Sequence, residues 1–391
     1  MMSSNKVTPS IRFAGFTDTW EQRKLGDIGE TYTGLSGKTK EDFGHGDAKF
    51  VTYMNVFSNS IADSAMTESV EIDKKQNEVK YGDVFFTTSS ETPDEVGMSS
   101  VWLENSENTY LNSFCFGYRP SENINPYYMA YMLRSENVRK SIIFLAQGIS
   151  RYNISKNKMM EISVPLPNLD EQQKIGDYFC NLDDLITLHQ RKCDALQKFK
   201  RAMLQKMFPQ DGESVPEIRF AGFTDAWEQR KLNEVVKSID TGKSKFRSDS
   251  TNGEYAILGS TSIIGYDDCY DYDGDFILTA RVGANAGSLY RYAGKAKISD
   301  NTVFIQAEKN IEFVYYMLTK FDIKQLSFGT GQPLVKASEL KNLELKMPND
   351  IEEQQKIGAY FTQLDTLITL HQRKLETLQK MKKSLLQKMF V

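Results

Sequence analysis

Two sets of basic and amide side chains are the residues best suited to do chemistry in this chain, and that chemistry is recognition. Arg134, Arg139, Lys140, Arg151, Lys156 and Lys158 crowd one stretch that holds a single acid, Glu136. Gln147, Tyr152 and Asn153 are interleaved with them. A later stretch carries Lys324, Gln332, Lys336 and Lys341, with Arg281 and Asn285 upstream of it. Shorter clusters, Lys38 with Lys40 and Lys243 with Lys245 and Arg247, precede the two stretches. Arginine pairs with guanine edges, Gln and Asn pair with adenine edges, and Lys and Ser hold phosphates. On that chemistry the candidate nucleic-acid contacts are Lys38, Lys40, Gln147, Arg151, Tyr152, Asn153, Lys156, Lys243, Lys245, Arg281, Asn285, Gln332 and Lys336. One basic loop alone reads more readily as solvated surface than as a binding site. Its recurrence, with amides interleaved, favours a binding role.

Catalytic patterns are missing from the sequence. It has no G-x-G-x-x-G, no P-loop and no H-E-x-x-H. Asp271, Asp273 and Asp275 resemble the start of a calcium loop, but Phe276 and Val282 stand where glycine and glutamate are needed. That run reads as an acidic turn leading into a strand. Only three histidines are present, so a Ser–His–Asp arrangement has little to draw on. Net charge is −4, with 13 Lys/Arg against 19 Asp/Glu over 26–168 and 14 against 16 over 233–350. The overall charge argues mildly against a nucleic-acid binder, and its distribution argues for one. Cys115, Cys180, Cys193 and Cys269 form no C-x-x-C and read as reduced core fillers. With no apolar run of 18 residues and no signal-like start, a cytoplasmic protein is expected.

The elements that must position these residues come as a duplication. Pro9–Leu25 recurs as Pro216–Leu232, offset by 207 (216 − 9), and Leu169–Phe208 recurs as Ile351–Phe390, offset by 182 (351 − 169). The sequences between these frames share little. In the second pair, Ile175, Phe179, Leu182, Ile186, His189, Cys193, Leu196, Lys200, Met203 and Met207 alternate steps of four and three. Ile357, Phe361, Leu364, Ile368, His371, Leu375, Leu378, Lys382, Leu385 and Met389 repeat the pattern, a heptad seam over four to five heptads. Asn168-x-x-Glu171 and Asp350-x-x-Glu353 predict capping boxes at the helix starts. His189 and His371 read as polar register-setting seam residues rather than metal ligands. Pairing the copies buries both seams, and an antiparallel pair places one insert at each end. Each insert reads as mixed α and β. The first has strands near Phe50–Val56, Asp83–Thr88, Met98–Leu103 and Phe114–Tyr118, with a helix from Tyr127 to Phe144; the second replays that order. The expected class is α+β: two globular mixed α/β domains joined by two long helices in an antiparallel coiled coil, a pseudo-two-fold repeat. Boundaries fall at 1–168, 169–208, 209–350 and 351–391.

These residues resemble the specificity subunit of type I restriction–modification systems. The resemblance is carried by the IRFAGFTDxWEQRKL openings, the EQQKI-to-LQKMF helices, DGDFILTARVGANAGS and GTGQPLVKASELKNLELKMP. YGDVFFTTSSETPDEVG and QGISRYNISKNKMMEISVPLP keep the pattern with altered residues. It implies two target-recognition domains reading the halves of a bipartite double-stranded DNA site, and no chemistry in this chain. Two modification subunits using S-adenosylmethionine to methylate adenine, and two restriction subunits using ATP and Mg, are implied as partners. The helix surface expected to receive partners includes Gln172, Gln173, Lys174, Gln190, Arg191, Gln354, Gln355, Lys356, Gln372 and Arg373. Two other readings stay open: a coiled-coil adaptor bridging proteins without DNA readout, and an enzyme with an unrecognised site.

Overall fold

The computed structural model describes residues 8–149, 151–245, 252–307, 309–326 and 334–390. Gln332 and Arg247 therefore lie outside the described residues. The chain divides into two compact units. One comprises Met1–His189 and Lys374–Val391, the other Gln190–Arg373.

In the first unit the strands and helices run β1 (Glu21–Lys24), β2 (Gly29–Thr33), β3 (Phe43–Val51), α1 (Tyr53–Ser58), β4 (Thr67–Val70), β5 (Val84–Thr87), β6 (Ser89–Ser90), β7 (Ser99–Val101), β8 (Thr109–Leu111) and β9 (Cys115–Pro120). They continue with α2 (Pro126–Met132), α3 (Glu136–Phe144), β10 (Tyr152–Asn153), α4 (Lys156–Met160) and β11 (Ser163–Leu166). The long helix α5 (Leu169–Lys206) follows and is shared by both units. The second unit adds β12 (Glu228–Lys231), α6 (Leu232–Val235), β13 (Ser238–Thr241), β14 (Tyr255–Leu258), β15 (Ile263–Asp267), β16 (Tyr272–Ala280), β17 (Leu289–Ile298) and β18 (Thr302–Gln306). Then come α7 (Ile311–Phe321), α8 (Ala337–Lys341), β19 (Glu344–Met347) and the second long helix α9 (Ile351–Lys388).

The two inserts share one topology. The second unit has a six-stranded sheet ordered β13-β18-β16-β17-β14-β15, in which β14 runs parallel to β17. The first has β2-β9-β5-β7 and β4-β3-β8, with β3 parallel to β8. β7 and β8 take the two roles that β17 fills alone, because VWLENSENTY breaks the strand at turn-forming residues with Asn108 at φ 49°. Buried Trp102 packs with Val51, Val56, Phe85 and Leu111 at that break.

Several boundaries differ from the sequence expectation. The strand expected to Val56 stops at Val51, since Thr52 Oγ1 accepts from Asn55 N and starts α1. The single helix expected over 127–144 is two, restarting at Ser135, whose carbonyl accepts from Arg139 N. The acidic run at 271–275 lies in a strand from Tyr272 onward, not in a turn. Cys269 is exposed and Cys180 half-buried, so only Cys115 and Cys193 are core fillers. Burial pushes the Cys115 thiol up to about 12.

The repeated opening segment anchors the start of each long helix. β1 pairs with β11 and β12 with β19, in matching antiparallel ladders. Arg12 forks onto the buried carboxylate of Glu171 at 2.6 and 2.7 Å, and Arg219 onto Glu353 at 2.6 and 2.8 Å. Asn168 Oδ1 caps α5 through Glu171 N, as expected. The reciprocal half of the box is different: the Glu171 carboxylate serves Arg12 and Trp20 Nε1 instead of the cap backbone.

Within each unit the two long helices pair antiparallel. In the first, Lys382 meets Asp183 while Phe390 meets Phe179; in the second, Lys200 meets Asp365 while Phe208 meets Phe361. Numbers rise along α5 as they fall along α9. Leu378, Met389 and Phe390 join the core of the first unit, and Leu204, Met207 and Phe208 that of the second. The terminal LQKMF of each repeat thus fills the core of the domain it does not follow, which the boundaries drawn at 208 and 351 do not convey. His189 and His371 sit half-buried on the seam. Among the described residues no cluster of His, Cys, Asp or Glu could hold a metal ion.

Candidate nucleic-acid interface

In the first unit the candidate residues gather on a closed loop. Gln147 and Asn153 exchange both backbone hydrogen bonds, at 3.0 and 2.8 Å. Gly148 makes this closure possible: at φ 145° a Cβ there would stand 2.0 Å from the Arg151 carbonyl oxygen. Tyr152 and Asn153 then pair with Ser90 and Ser89 of β6. Gln147, Arg151 and Asn153 are exposed, whereas Tyr152 is half-buried against the core. Lys156 is half-buried over the Phe116 ring. The loop region also presents Phe144 at 88% exposure and Ile149 at 97%.

Part of the basic cluster is internal. Arg139 is buried and donates to the carbonyls of Asp94, Val96 and Gly97. Arg134 donates to those of Val56, Phe57, Asn59 and Ser99. Burial brings both guanidinium groups down to about 10, so they stay charged at neutral pH. Their work is to hold two loops in place. Lys38, expected as a DNA contact, is half-buried 3.2 Å from Asp73 and 3.8 Å from Asp42, so its charge is neutralised inside the domain. Asp73 is held down to about 2, first by its hydrogen bond with Gln76, with Lys38 contributing. Lys40 is exposed.

The second unit builds a matching place from other residues. The Arg281 carbonyl accepts from Val335 N, just before α8; the Thr88 carbonyl accepts from Ile154 N, just before α4. Arg281 therefore stands where Thr88 stands in the first unit. Its side chain is exposed, as are Asn285 and Lys336, the latter 3.7 Å from Glu339. Lys243 and Lys245 are exposed on either side of Ser244, whose amide donates to the Ile298 carbonyl.

The surface expected to receive partners is split. Gln172 and Gln354 are buried, a correction to their expected outward position. Gln172 accepts from Asn125 N and donates to the Pro167 carbonyl; Gln354 accepts from Asn310 Nδ2 and donates to the Pro348 carbonyl. Gln173, Gln190, Arg191, Gln355, Gln372 and Arg373 are exposed. Lys174 and Lys356 are exposed and lie over the rings of Phe16 and Phe223. A second apolar stripe lies outside the heptad seam. Leu185, Leu188 and Phe199 are each 45% exposed, and Leu367, Leu370 and Met381, each 182 residues later, are 44%, 60% and 38% exposed. Steps of 3 and 11 residues keep each trio on one helix face. The signal available was LITLH, retained in both copies although the buried seam does not need its leucines.

The family model for the type I restriction modification DNA specificity domain matches residues 17–198 and 224–380, and the chain belongs to this family. It is 25% identical to the putative type I restriction enzyme MjaX specificity subunit of Methanocaldococcus jannaschii, over 94% of this chain and 92% of that one. It is 22% identical to the MjaVIII specificity subunit of the same organism, over 94% and 91%. A solved S subunit of a type I restriction-modification system from M. genitalium has the same fold, with a TM-score of 0.69 and 15% identity over 98% of this chain and 99% of that one. Among the described residues no helix is long and apolar enough to cross a membrane.

Proposed function

We propose that each globular domain of this specificity subunit reads one half of a bipartite double-stranded DNA site, while the paired helices set the gap between the halves. The observation that carries this reading is the matched pair of reading places. One backbone arrangement, a strand end tied to a loop before a short helix, presents Arg151 and Asn153 in one domain and Arg281 in the other. A constant frame with variable exposed donors is what two half-site readers of different sequence require. Lys156, Lys243, Lys245 and Lys336 then serve as phosphate contacts that fix register.

The chain acts without a cofactor of its own. Its partners are two modification subunits, which bring S-adenosylmethionine for adenine methylation, and two restriction subunits, which bring ATP and Mg. The complex works in the cytoplasm. The modification subunits dock on the stripe of Leu185, Leu188 and Phe199 and its copy, with Gln190, Arg191, Gln372 and Arg373 at the polar margin. An apolar stripe kept twice on one helix face fits two identical partner surfaces.

Sequencing methylated bases in DNA from cells carrying this chain with its modification partner tests the proposal. A two-part methylated motif with a fixed gap is expected. DNA retention without sequence dependence, and no motif, would favour the adaptor reading.

A further inference from the structure

Phe114 is a large apolar side chain that is 59% exposed yet sits on tightly held backbone. Its carbonyl accepts from Thr88 N at 3.0 Å and from Thr88 Oγ1 at 2.7 Å, and its amide donates to Asn112 Oδ1 at 2.9 Å. It directly precedes Cys115, which pairs with Thr87 at the end of the β5·β9 ladder. Asn301 occupies the same position in the second unit. It directly precedes Thr302, which pairs with Ala280, and its carbonyl accepts from Arg281 N at 3.0 Å and Ser260 Oγ at 3.1 Å. Asn301 is exposed as well. One backbone position, fixed by the same ladder in both domains, thus presents a phenyl ring in one and a carboxamide in the other.

The surroundings of Phe114 are built to hold a shape. With Tyr53, Met54, Phe57, Glu91 and Arg151 it lines an open cleft of about 770 Å³. Tyr53 and Phe57 stack at 6.0 Å, and the Tyr53 hydroxyl donates to the Ser89 carbonyl. Arg134 grips the carbonyls of Val56 and Phe57 on α1, while Arg139 grips those of Asp94, Val96 and Gly97. Arg151 Nε donates to Ser89 Oγ at 3.3 Å, which ties this side chain to β6 at the cleft wall. A cleft whose walls are tied by one buried arginine, Arg139, and one half-buried arginine, Arg134, does not reshape cheaply when a ligand enters.

We propose that Phe114 and Asn301 are equivalent specificity-determining positions, each selecting one base pair in its own half-site. The proposal rests on the half-site reading above and deepens it. In the major groove an apolar ring discriminates by packing against the thymine methyl, and an asparagine amide by paired hydrogen bonds to adenine N6 and N7. Phe114 therefore selects a T·A pair through its methyl, and Asn301 selects an A·T pair through its purine edge. Composition could not reveal these residues, because neither belongs to a basic cluster.

The test uses the full chain in its methyltransferase complex, with methylome sequencing as the readout. Phe114→Ala should relax one T·A position in one half of the motif, and Asn301→Ala one A·T position in the other half. Each lost contact should reduce discrimination at that position by roughly 5- to 150-fold. All other positions should hold. Phe114→Leu keeps an apolar contact and should keep the motif, which separates readout from folding; Asn301→Asp, which reverses the amide's donor, should relax the same position as Asn301→Ala. An unchanged motif in both alanine variants, or an equal loss at all sites, overturns the assignment. If the unaltered chain yields no two-part motif, the half-site reading itself fails, and that outcome is distinct from failure at these two residues.

Discussion

Lys382 lies 2.5 Å from Asp183 in one unit, and the residues 182 positions away, Lys200 and Asp365, make the reciprocal pair at the same distance in the other. Tyr131 and Tyr316 complete the two sets, donating to Asp183 and Asp365 and lying beneath the two ammonium groups. The geometry explains the direction of the helices. Parallel pairing in register would set Lys200 against Lys382 and Asp183 against Asp365, whereas antiparallel pairing sets each lysine against an aspartate.

That arrangement predicts the outcome of charge exchange. Lys200→Asp alone places two acids side by side and should destabilise the second unit by about 1 kcal/mol or more. Adding Asp365→Lys should restore most of the loss. Urea unfolding of the single and double variants measures the coupling. Equal losses in both would show that packing, not charge, sets the direction.

Removing one partner of a buried pair leaves an uncompensated charge. Arg12→Ala strands Glu171, whose side chain is fully buried and retains the Trp20 indole as donor. A loss of about 3 kcal/mol is expected, with Arg12→Lys recovering only part because the fork is lost. Arg219→Ala should do the same through Glu353. Denaturant midpoints report the loss, and a change below about 0.5 kcal/mol would contradict this role.

Loop substitutions should act on one half-site only. Arg151→Ala or Asn153→Ala should relax one half of the methylated motif and Arg281→Ala the other, at about 1–3 kcal/mol for each lost bidentate contact. If each variant weakened every sequence equally, these residues would be phosphate contacts instead.

The helices should measure the gap between half-sites. Because α5 and α9 pair along their seams, the clean insertion adds seven residues to both, after Gln190 and after Gln372. A heptad keeps the seam in register and lengthens each helix by ~10 Å, about three base pairs at ~3.4 Å each. The methylated motif should widen by that amount with both halves unchanged. A constant gap would mean the helices join the domains without spacing their targets.

Most of the architecture was legible in the residues. The duplication, both helices to within two or three residues, the α+β inserts and their common strand order follow from repeats and periodicity, which are local and survive in a linear string. Tertiary structure decided what depends on partners remote in sequence. Phe390 packs on Tyr128 and Phe179, each more than 200 positions upstream, and no periodicity says which domain a helix end enters. Arg134, Arg139 and Lys38 count as basic residues in a composition, yet their charges face carbonyls and carboxylates inside the fold. Gln172 lies in the polar EQQK run but is spent on Asn125 and Pro167. The equivalence of Phe114 and Asn301 is written only in hydrogen-bond register, because unlike side chains can share one backbone position when the ladder, and not the side chain, holds it in place.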